Sequence, residues 1–517
     1  MSSKTARIFT PVSTLEKAPA TNYEGAPAFL RSEEEALVRV LMTGLLEPTF
    51  YVGERELAAE AEGIFARWAT KDARFLAQAV VYAREHGFLR LAPITALVYL
   101  STATEKRYFY AAFDRVIRTP GDLADFLTII RKGQRRGMGR AIKIAVGRYL
   151  SNVSEYHAIK YGSDAQEMSL RDMFRLVRPK LTGRAQDIAA YLVKGEVAPN
   201  LEQIALYERF KQESDPEELL WLISEGKLPL EVMTNKLPNT PQAWATAMRQ
   251  MPTQALLRHL VALHEHGVFA SAENVQYAAS VLTDARRIEK SGLFPFTFVE
   301  AAKMATEHHL PYAVTAAVLA AAELSLVNCP SLPGRTLIAN DVSGSMGAKI
   351  SQRSVLDCAD VAAIMAAALF RRAECADVVS FDTQAYHRAV RPDMSLDVLT
   401  ERIRGDEGGG TDMGIPLRWA QNYRYDNFVW ITDSQDWAGW LRDRRGALDA
   451  LRQYRQRVPN LHAYLVQLLP YQHAVAPMEA DYVTYCYGFT GSTLAFIGQE
   501  SQDQVAAVRR TPLGEVT

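Results

Sequence analysis

The sequence predicts a multidomain protein: an array of paired α-helices, or α-solenoid, followed by an α/β domain with a mostly parallel sheet. Three observations indicate this. From about Ser32 to Val327, one amphipathic helical pattern follows another, with short breaks at Gly, Pro or Asn. Beyond Pro330, short apolar strands alternate with helices. The 517 residues, of which 48% are hydrophobic, are too many for one ordinary core.

The helical patterns carry an apolar stripe with charges on the opposite face, as in Glu54 to Thr70, Ala73 to His86 and Glu273 to Ser291. Helix after helix with short joints favours a solenoid of HEAT-like pairs, in which each pair buries its apolar face on its neighbours. No regular sequence period is visible, so a compact helical domain is the alternative.

The alternating part begins after the segment Pro330 to Arg335. We predict strands at Thr336 to Asn340, Asp377 to Phe381 and Phe428 to Thr432, with helices between them. Ligands bind at the carboxyl ends of parallel strands, so a functional site is expected just after these three strands. The predicted domains are a lead-in at residues 1–22, a helical repeat domain at 23–330 and an α/β domain at 335–517.

Composition and charge argue against several classes of protein. The 58 Lys and Arg residues balance 59 Asp and Glu, which disfavours a uniformly basic coat but leaves room for a local basic face. The N-terminus has no apolar run typical of a signal peptide, and the most apolar stretch, Ala313 to Ala322, is too short to span a bilayer. The four cysteines form no CxxC pair. We therefore predict a cytoplasmic protein with no membrane partner.

Three predicted strand ends carry oxygen ligands for a metal ion. Asp341, Ser343 and Ser345 form a D-x-S-x-S loop after the first strand, Thr411 follows three glycines, and Asp433 follows a later strand. Oxygen ligands alone suit a hard cation, Mg²⁺ most naturally or Mn²⁺. A Ser-rich turn that caps the next helix would explain the first loop but not the other two.

These five residues resemble the metal-ion-dependent adhesion site (MIDAS) of von Willebrand factor A domains, which have a Rossmann-like fold. The resemblance implies that the Ser and Thr hydroxyls bind the ion directly and that the two Asp side chains hold it largely through water. It also implies one open position for an incoming acidic group. Motifs for phosphoryl transfer, for a nucleophile elbow and for a P-loop are incomplete around these loops.

Two clusters of basic residues lie in the helical part. The segment Arg131 to Leu150 has seven basic residues and no acidic one, and the segment Ser169 to Arg184 has arginines at helical intervals. The candidate RNA contacts are Lys132, Arg135, Arg136, Arg140, Lys143, Arg171, Arg175 and Arg178. A solvated helix face is the alternative for each cluster. If a helix begins near Gly139, Ile142, Ile144 and Val146 lie partly on the core side.

The chain resembles the Ro (60 kDa SS-A/Ro, TROVE-domain) ribonucleoprotein autoantigen family over nearly its whole length, and we interpret it as a bacterial member. The segments that carry the resemblance are Phe50 to Leu57, Gly137 to Ala141, Leu170 to Leu176, Asp341 to Met346, and Thr432-Asp433 with Trp437. Glu47-Pro48-Thr49 departs from the glycine-rich turn expected before the tyrosines. The resemblance implies that HEAT-like repeats close into a ring joined by the von Willebrand factor A domain.

The same resemblance implies binding of small Y RNAs on a basic outer surface and of single-stranded 3′ ends of misfolded noncoding RNAs in the central hole. An exoribonuclease partner and a monomeric ring are the further expectations. We therefore predict a noncatalytic RNA-binding scaffold for RNA quality control. Two alternatives are a protein-interaction scaffold whose MIDAS captures an acidic partner residue, and a metal-dependent hydrolase.

Overall fold

The structure is a computed structural model, and it describes residues 20–22, 27–43, 54–133, 137–162, 168–233, 236–350, 354–405, 408–433, 446–469, 473–474, 482–488, 491–494, 497 and 504–514. The helices of the first part are α1 Glu33–Thr43, α2 Glu54–Lys71, α3 Ala73–Glu85, α4 Leu91–Leu100, α5 Lys106–Val116, α6 Pro120–Lys132, α7 Arg140–Leu150, α8 Glu155–Tyr161, α9 Leu170–Val177, α10 Arg184–Lys194, α11 Glu202–Gln212, α12 Pro216–Gly226, α13 Leu230–Met233, α14 Pro241–Met248, α15 Thr253–Glu265, α16 Ala272–Leu282, α17 Ala285–Ser291, α18 Pro295–Glu307 and α19 Tyr312–Leu324.

These helices stack in two rows. In one row α3 packs on α5, α5 on α7 and α7 on α9, while in the other α2 packs on α4, α4 on α6 and α6 on α8. Each helix therefore buries its apolar face mainly on helices close to it in sequence, as in a solenoid. The α-solenoid prediction is confirmed.

A regular spacing of buried side chains underlies the first row. Leu76 of α3, Phe109 of α5 and Ile142 of α7 are fully buried and equally spaced along the sequence. Met173 of α9, also fully buried, follows at nearly the same spacing. This repeat is not visible in the sequence, because buried positions recur at a regular spacing while the residue types at those positions differ.

Buried ion pairs join neighbouring helices of the array. The Asp122 carboxylate, at the start of α6, accepts hydrogen bonds from Arg84 Nη2 at 2.9 Å and Arg90 Nε at 2.6 Å. Glu155, at the start of α8, pairs with Arg184 and accepts from the Ile204 backbone N at 2.9 Å. Removing either partner of such a pair would leave an uncompensated charge in the interior, so these pairs fix how the helices stack.

The second part is an α/β domain. Its strands are β3 Leu332–Asp341, β4 Ala373–Phe381, β5 Ala385–His387, β6 Asn427–Thr432, β7 His462–Gln467 and β9 Val483–Tyr487, and its helices are α20 Cys358–Arg372, α21 Leu396–Arg404, α22 Ile415–Trp419, α23 Ala447–Arg457, α24 Gly491–Leu494 and α25 Gln504–Arg510. The sheet order is β5-β4-β3-β6-β7-β9, and only the edge strand β5 is antiparallel to its neighbour.

Some local predictions were wrong. The segment Glu273 to Ser291 is two helices, because Asp284 accepts hydrogen bonds from the backbone N of Arg286 and Arg287 and starts α17 anew. Ile144 lies outside the core, with 47% of its surface exposed. A small sheet of β1 Ala20–Thr21, β2 Pro27–Leu30 and β8 His473–Ala474 was not anticipated, nor was β5.

The α/β domain contacts both ends of the helical array. At the first seam, α1 and α3 pack on α25, α1 also packs on β9, and Arg31 donates to the Tyr487 hydroxyl at 2.7 Å. At the second seam, α18 packs on α20 and α19 on α21, with Lys303 paired to Asp360 at 3.1 Å. Glu323 also accepts from the Leu396 backbone N there. The array is thus closed into a ring by its own α/β domain.

Among the helices that the structure describes, none combines the length and the apolar character needed to cross a membrane.

Candidate metal centre and nucleic-acid interface

Three neighbouring strands bring the predicted metal ligands to one edge of the sheet. β3 lies between β4 and β6, and its last residue, Asp341, pairs in register with Phe381 of β4. The strands are parallel, so the loops that follow them start side by side. Asp341, Ser343, Ser345, Thr411 and Asp433 are all buried at this edge.

Asp341 is held from two loops. One carboxylate oxygen accepts from the Ser343 backbone N at 2.9 Å and the other from the Thr432 hydroxyl, so the first loop is tied to the end of β6. Burial raises the pKa of Asp341 to about 6; the two hydrogen-bonding hydroxyl residues oppose this rise, and the charge of Asp382 adds to it.

The glycine loop is fastened to the same edge through Asp382, the residue after β4. The Asp382 carboxylate accepts from the Gly409 backbone N at 3.1 Å, and its carbonyl accepts from the Asp412 backbone N at 2.9 Å. Gly409 in turn accepts from the Gly344 backbone N at 3.0 Å. A Cβ on Gly409 would lie 2.9 Å from Asp382 Oδ2, so this approach requires glycine.

A buried ion pair supports the residue next to Thr411. Arg418 binds the Asp412 carboxylate through both oxygens, and that carboxylate also accepts from the Gly414 backbone N at 3.1 Å. Asp412 is fully buried, so Arg418 supplies the countercharge for it. Neither residue was predicted to act here.

The donor set fits a divalent cation. The Ser343 and Ser345 hydroxyls lie 3.4 Å apart. The carboxylates of Asp341 and Asp382 are buried, and neither makes an ion pair with a basic side chain in the described part of the chain. Burying such charges without compensation is costly, and a hard cation would offset that cost. Within the described ranges no three His, Cys, Asp or Glu side chains cluster as metal ligands, so a cation here would depend on the hydroxyls.

Asp382 was not assigned to the metal centre in the sequence analysis. Its signal was its position directly after Phe381, at a strand end where the sequence already predicts a functional site. Trp437, which carried part of the resemblance, lies outside the described residues.

The two basic clusters lie on adjacent helices. α7 packs on α9, and a Cβ on Gly147 would contact Pro179 at 3.5 Å. The side chains exposed on this surface are Arg140, Lys143, Arg175 and Arg178. We call these four residues the basic surface.

Other predicted RNA contacts differ in their surroundings. Arg171 is half-buried, and its Nε donates to the Leu192 carbonyl at 2.8 Å, so part of its guanidinium serves the packing of α9 on α10. Lys132 is exposed at the end of α6. Arg135 and Arg136 lie outside the described residues.

The basic surface also carries apolar side chains. Ile144 is 47% exposed and Leu176 is 49% exposed, each beside a basic residue of its helix. The helices are nevertheless well anchored: α9 has a capping box between Ser169 and Asp172, and Arg178 ends it in the left-handed conformation at φ 49°.

Comparisons with known proteins agree on the family. A family model described as the Ro60 vWA domain matches residues 335–497, and one described as the TROVE domain matches residues 230–409. The chain is 26% identical over 491 residues to RNA-binding protein RO60 of Deinococcus radiodurans, which covers 86% of this chain and 89% of that protein. It is 24% identical over 304 residues to RNA-binding protein RO60 of Caenorhabditis elegans, covering 56% of this chain and 46% of that protein, less than half its length.

The fold is also shared with a solved structure. The crystal structure of Deinococcus radiodurans RO (RSR) protein matches with a TM-score of 0.70 at 23% identity, covering 91% of this chain and 100% of that chain. The interpretation as a bacterial member agrees with the Deinococcus radiodurans relative, whose alignment covers most of the chain. The two domain models together match residues 230–497, more than half of the chain, and the Deinococcus radiodurans relative spans both parts, so the chain belongs to the Ro family of TROVE-domain proteins.

Proposed function

We propose that the chain is an RNA-binding protein and not an enzyme, acting as a ribonucleoprotein scaffold in RNA quality control. The observation that carries this proposal is the basic surface. Arg140, Lys143, Arg175 and Arg178 lie exposed on two stacked helices and make no ion pair within the described ranges. Both curated relatives are named RNA-binding proteins, which supports the same function.

The chemistry of the basic surface favours RNA with unpaired nucleotides. Arginine forks bind phosphate oxygens in pairs and stack on bases, and they supply affinity that does not depend on sequence. Ile144 and Leu176 are exposed beside basic residues of the same helices, and such apolar side chains can contact the faces of unstacked bases. A small Y-type RNA and the single-stranded 3′ ends of misfolded noncoding RNAs are the ligands we propose.

The metal centre is a proposal of its own. Ser343, Ser345 and Thr411 would hold Mg²⁺, or Mn²⁺, directly, and Asp341 and Asp433 would hold it largely through water. Such an ion would supply a positive site for an acidic group, and the resemblance implies that one of its positions would be open to that group. Because the site lies in the α/β domain, away from the basic surface, we propose that it recruits a protein partner and does not bind the RNA.

The remaining proposals concern the setting of the protein. All four cysteines are free thiols, Cys329, Cys358 and Cys486 buried and Cys375 exposed, as expected for a reducing cytoplasm. Both seams form within one chain, which supports a monomeric ring. An exoribonuclease that degrades the bound RNA is the partner class we propose for a protein without hydrolytic activity.

A gel-shift titration tests the proposed function. Structured RNAs with and without a single-stranded 3′ tail are mixed with the wild-type chain and with the double variant Arg140→Glu/Arg175→Glu. Each lost phosphate contact should reduce the slope of log K against log salt by about 1. Because the double variant removes two arginines and puts two carboxylates in their place, we also expect affinity to fall more than tenfold for both RNAs.

Two control variants separate the effect of the basic surface from that of charge reversal elsewhere and from that of the metal centre. The double variant Arg258→Glu/Arg286→Glu makes the same charge change at two exposed arginines elsewhere in the array and should bind like wild type. Asp341→Ala should also retain RNA binding. RNA binding that survives reversal of the basic surface would contradict the proposed contacts, and its loss in Asp341→Ala would place the RNA at the metal centre instead.

A further inference from the structure

A second basic site lies at the first seam, away from the basic surface. A cleft of about 590 Å³ opens between α3, α5 and the C-terminal segment 504–514. The residues that line it are Arg74, Gln78, Arg107, Tyr108, Arg509, Arg510, Thr511, Pro512, Leu513 and Gly514. Four of them are arginines, and none is acidic.

The charges of this cleft are only partly compensated. Arg107 pairs with Glu105 at 2.5 Å, and Arg509 pairs with Glu34. Arg74 is exposed and makes no ion pair with any residue in the described part of the chain. The cleft therefore carries a net positive charge, and its guanidinium groups suit an anion with several oxygens.

The walls of the cleft are fixed to each other. The buried Gln78 side chain of α3 donates from Nε2 to the Arg509 carbonyl at 2.7 Å and to the Thr511 carbonyl at 3.0 Å. Arg115 of α5 donates to the Pro512 carbonyl. The arginines of the array and those of the C-terminal segment thus face one space, as a preorganised binding site requires.

A row of arginines leads from the basic surface to this cleft. Arg74, Arg107, Arg140 and Arg171 stand at the first or second position of α3, α5, α7 and α9, nearly equally spaced along the sequence. Each stands two positions before a fully buried side chain of the repeat. The four helices stack side by side, about 8–10 Å apart, so the arginines follow one rim of the array.

We propose that the seam cleft binds a phosphate group, and that the backbone of single-stranded RNA running along the arginine rim supplies it. This rests on the proposed function, because the rim joins the cleft to the basic surface. The cleft has the size of a site for one nucleotide. Its two walls come from opposite ends of the chain, so a phosphate bound there bridges the first seam.

Binding to the full-length chain tests the cleft. The probes are a 5′-fluorescein-labelled U12 RNA, followed by anisotropy, and orthophosphate, followed by the midpoint of heat unfolding against chloride at equal ionic strength. The cleft variant is Arg74→Glu/Arg510→Glu, and the control is Arg258→Glu/Arg286→Glu. We expect the cleft variant to lose at least tenfold in affinity for U12, and the control to bind like wild type.

Photo-cross-linking locates the contact. U12 that contains 4-thiouridine should cross-link to residues 74–78, 107–108 or 509–514 in the wild-type chain and lose these cross-links in the cleft variant. Equal U12 affinity of the cleft variant and the control, with no cross-link at these residues, would overturn the proposal. If orthophosphate raises the midpoint of heat unfolding but U12 does not bind at the cleft, the cleft binds free phosphate, and the proposal that RNA supplies the phosphate group is overturned.

The proposed function and the cleft proposal can be refuted independently of each other. If the wild-type chain binds no structured RNA, the function is wrong, and the orthophosphate arm still reports on the cleft. If structured RNA binds and is lost only on reversal of Arg140 and Arg175, the function stands and the proposed RNA path through the cleft is refuted.

Discussion

At the scale of single residues, the candidate metal centre depends on a glycine that the motif alone does not distinguish. Gly408 and Gly409 are neighbours in one loop, but only Gly409 approaches Asp382 closely; a Cβ on Gly408 would meet nothing within 4 Å. The motif predicts which residues supply oxygens. It does not predict Asp382, which ties the loop in place, because that contact exists only when β4 and the glycine loop are folded together.

We therefore expect Gly409→Ala and Gly408→Ala to differ. A Cβ at residue 409 would lie 2.9 Å from Asp382 Oδ2 and 3.3 Å from Thr383 Oγ1, so the loop that carries Thr411 must shift. Mn²⁺ or Mg²⁺ affinity, measured by calorimetry, should fall at least tenfold in Gly409→Ala, about 1.4 kcal/mol, and should be unchanged in Gly408→Ala. Equal affinities for the two variants would contradict this role of the loop.

At the scale of elements, periodic patterns predicted the type of structure well. The helices α2 and α3 lie close to their predicted positions, and the strands β4 and β6 end where predicted, because long stripes and buried runs report burial directly. The strands β1, β2 and β8 were not predictable, since such short strands carry no periodicity and exist only through pairing across the chain. The helical period also predicts Ile144 partly on the core side, but this residue is exposed beside Lys143 of the basic surface.

The stacking of α3, α4 and α6 depends on one buried carboxylate. Burial alone would raise the pKa of Asp122, but hydrogen bonding to Arg90 and the charge of Arg84 outweigh it, and its pKa stays below its usual range. This stabilisation is present at neutral pH and is lost as the pH falls below about 4, the ordinary carboxyl pKa, toward the lower folded value.

Asp122→Asn should accordingly destabilise the array. It leaves the Arg84 guanidinium, which is 11% exposed, without its carboxylate, at a cost of about 3–5 kcal/mol. The matched variant Asp114→Asn breaks the exposed pair with Arg148 and should cost about 0–1 kcal/mol. Calorimetric heat unfolding should show a drop of several degrees in the midpoint for Asp122→Asn alone. Similar drops in both variants would show that burial does not govern this pair.

At the scale of the whole molecule, the closure of the ring could be predicted only through the family resemblance. Nothing in the local pattern of Arg31 or Gln78 indicates that their partners, Tyr487 and Arg509, lie near the other end of the chain. The two seams also differ in kind. At the first, cation–π contacts of Arg31 with Tyr485 and Tyr487 and hydrogen bonds to backbone carbonyls accompany the Arg509–Glu34 ion pair. At the second, ion pairs join the helices directly, as in Lys303 with Asp360 and Arg371 with Glu323.

The seams should therefore open separately. Arg31→Ala removes a side chain that donates to Tyr487 and Gln467 and stacks 4.9 Å from the Tyr485 ring, so the first seam loses its central contact. Hydrogen exchange should accelerate in α1, β9 and α25 and stay unchanged in α18 and α20, because the second seam is intact. Glu323→Ala, which removes the acceptor of the Leu396 backbone N and the partner of Arg371, should give the reverse pattern. Accelerated exchange at both seams in either variant would mean that the ring closes as one cooperative unit.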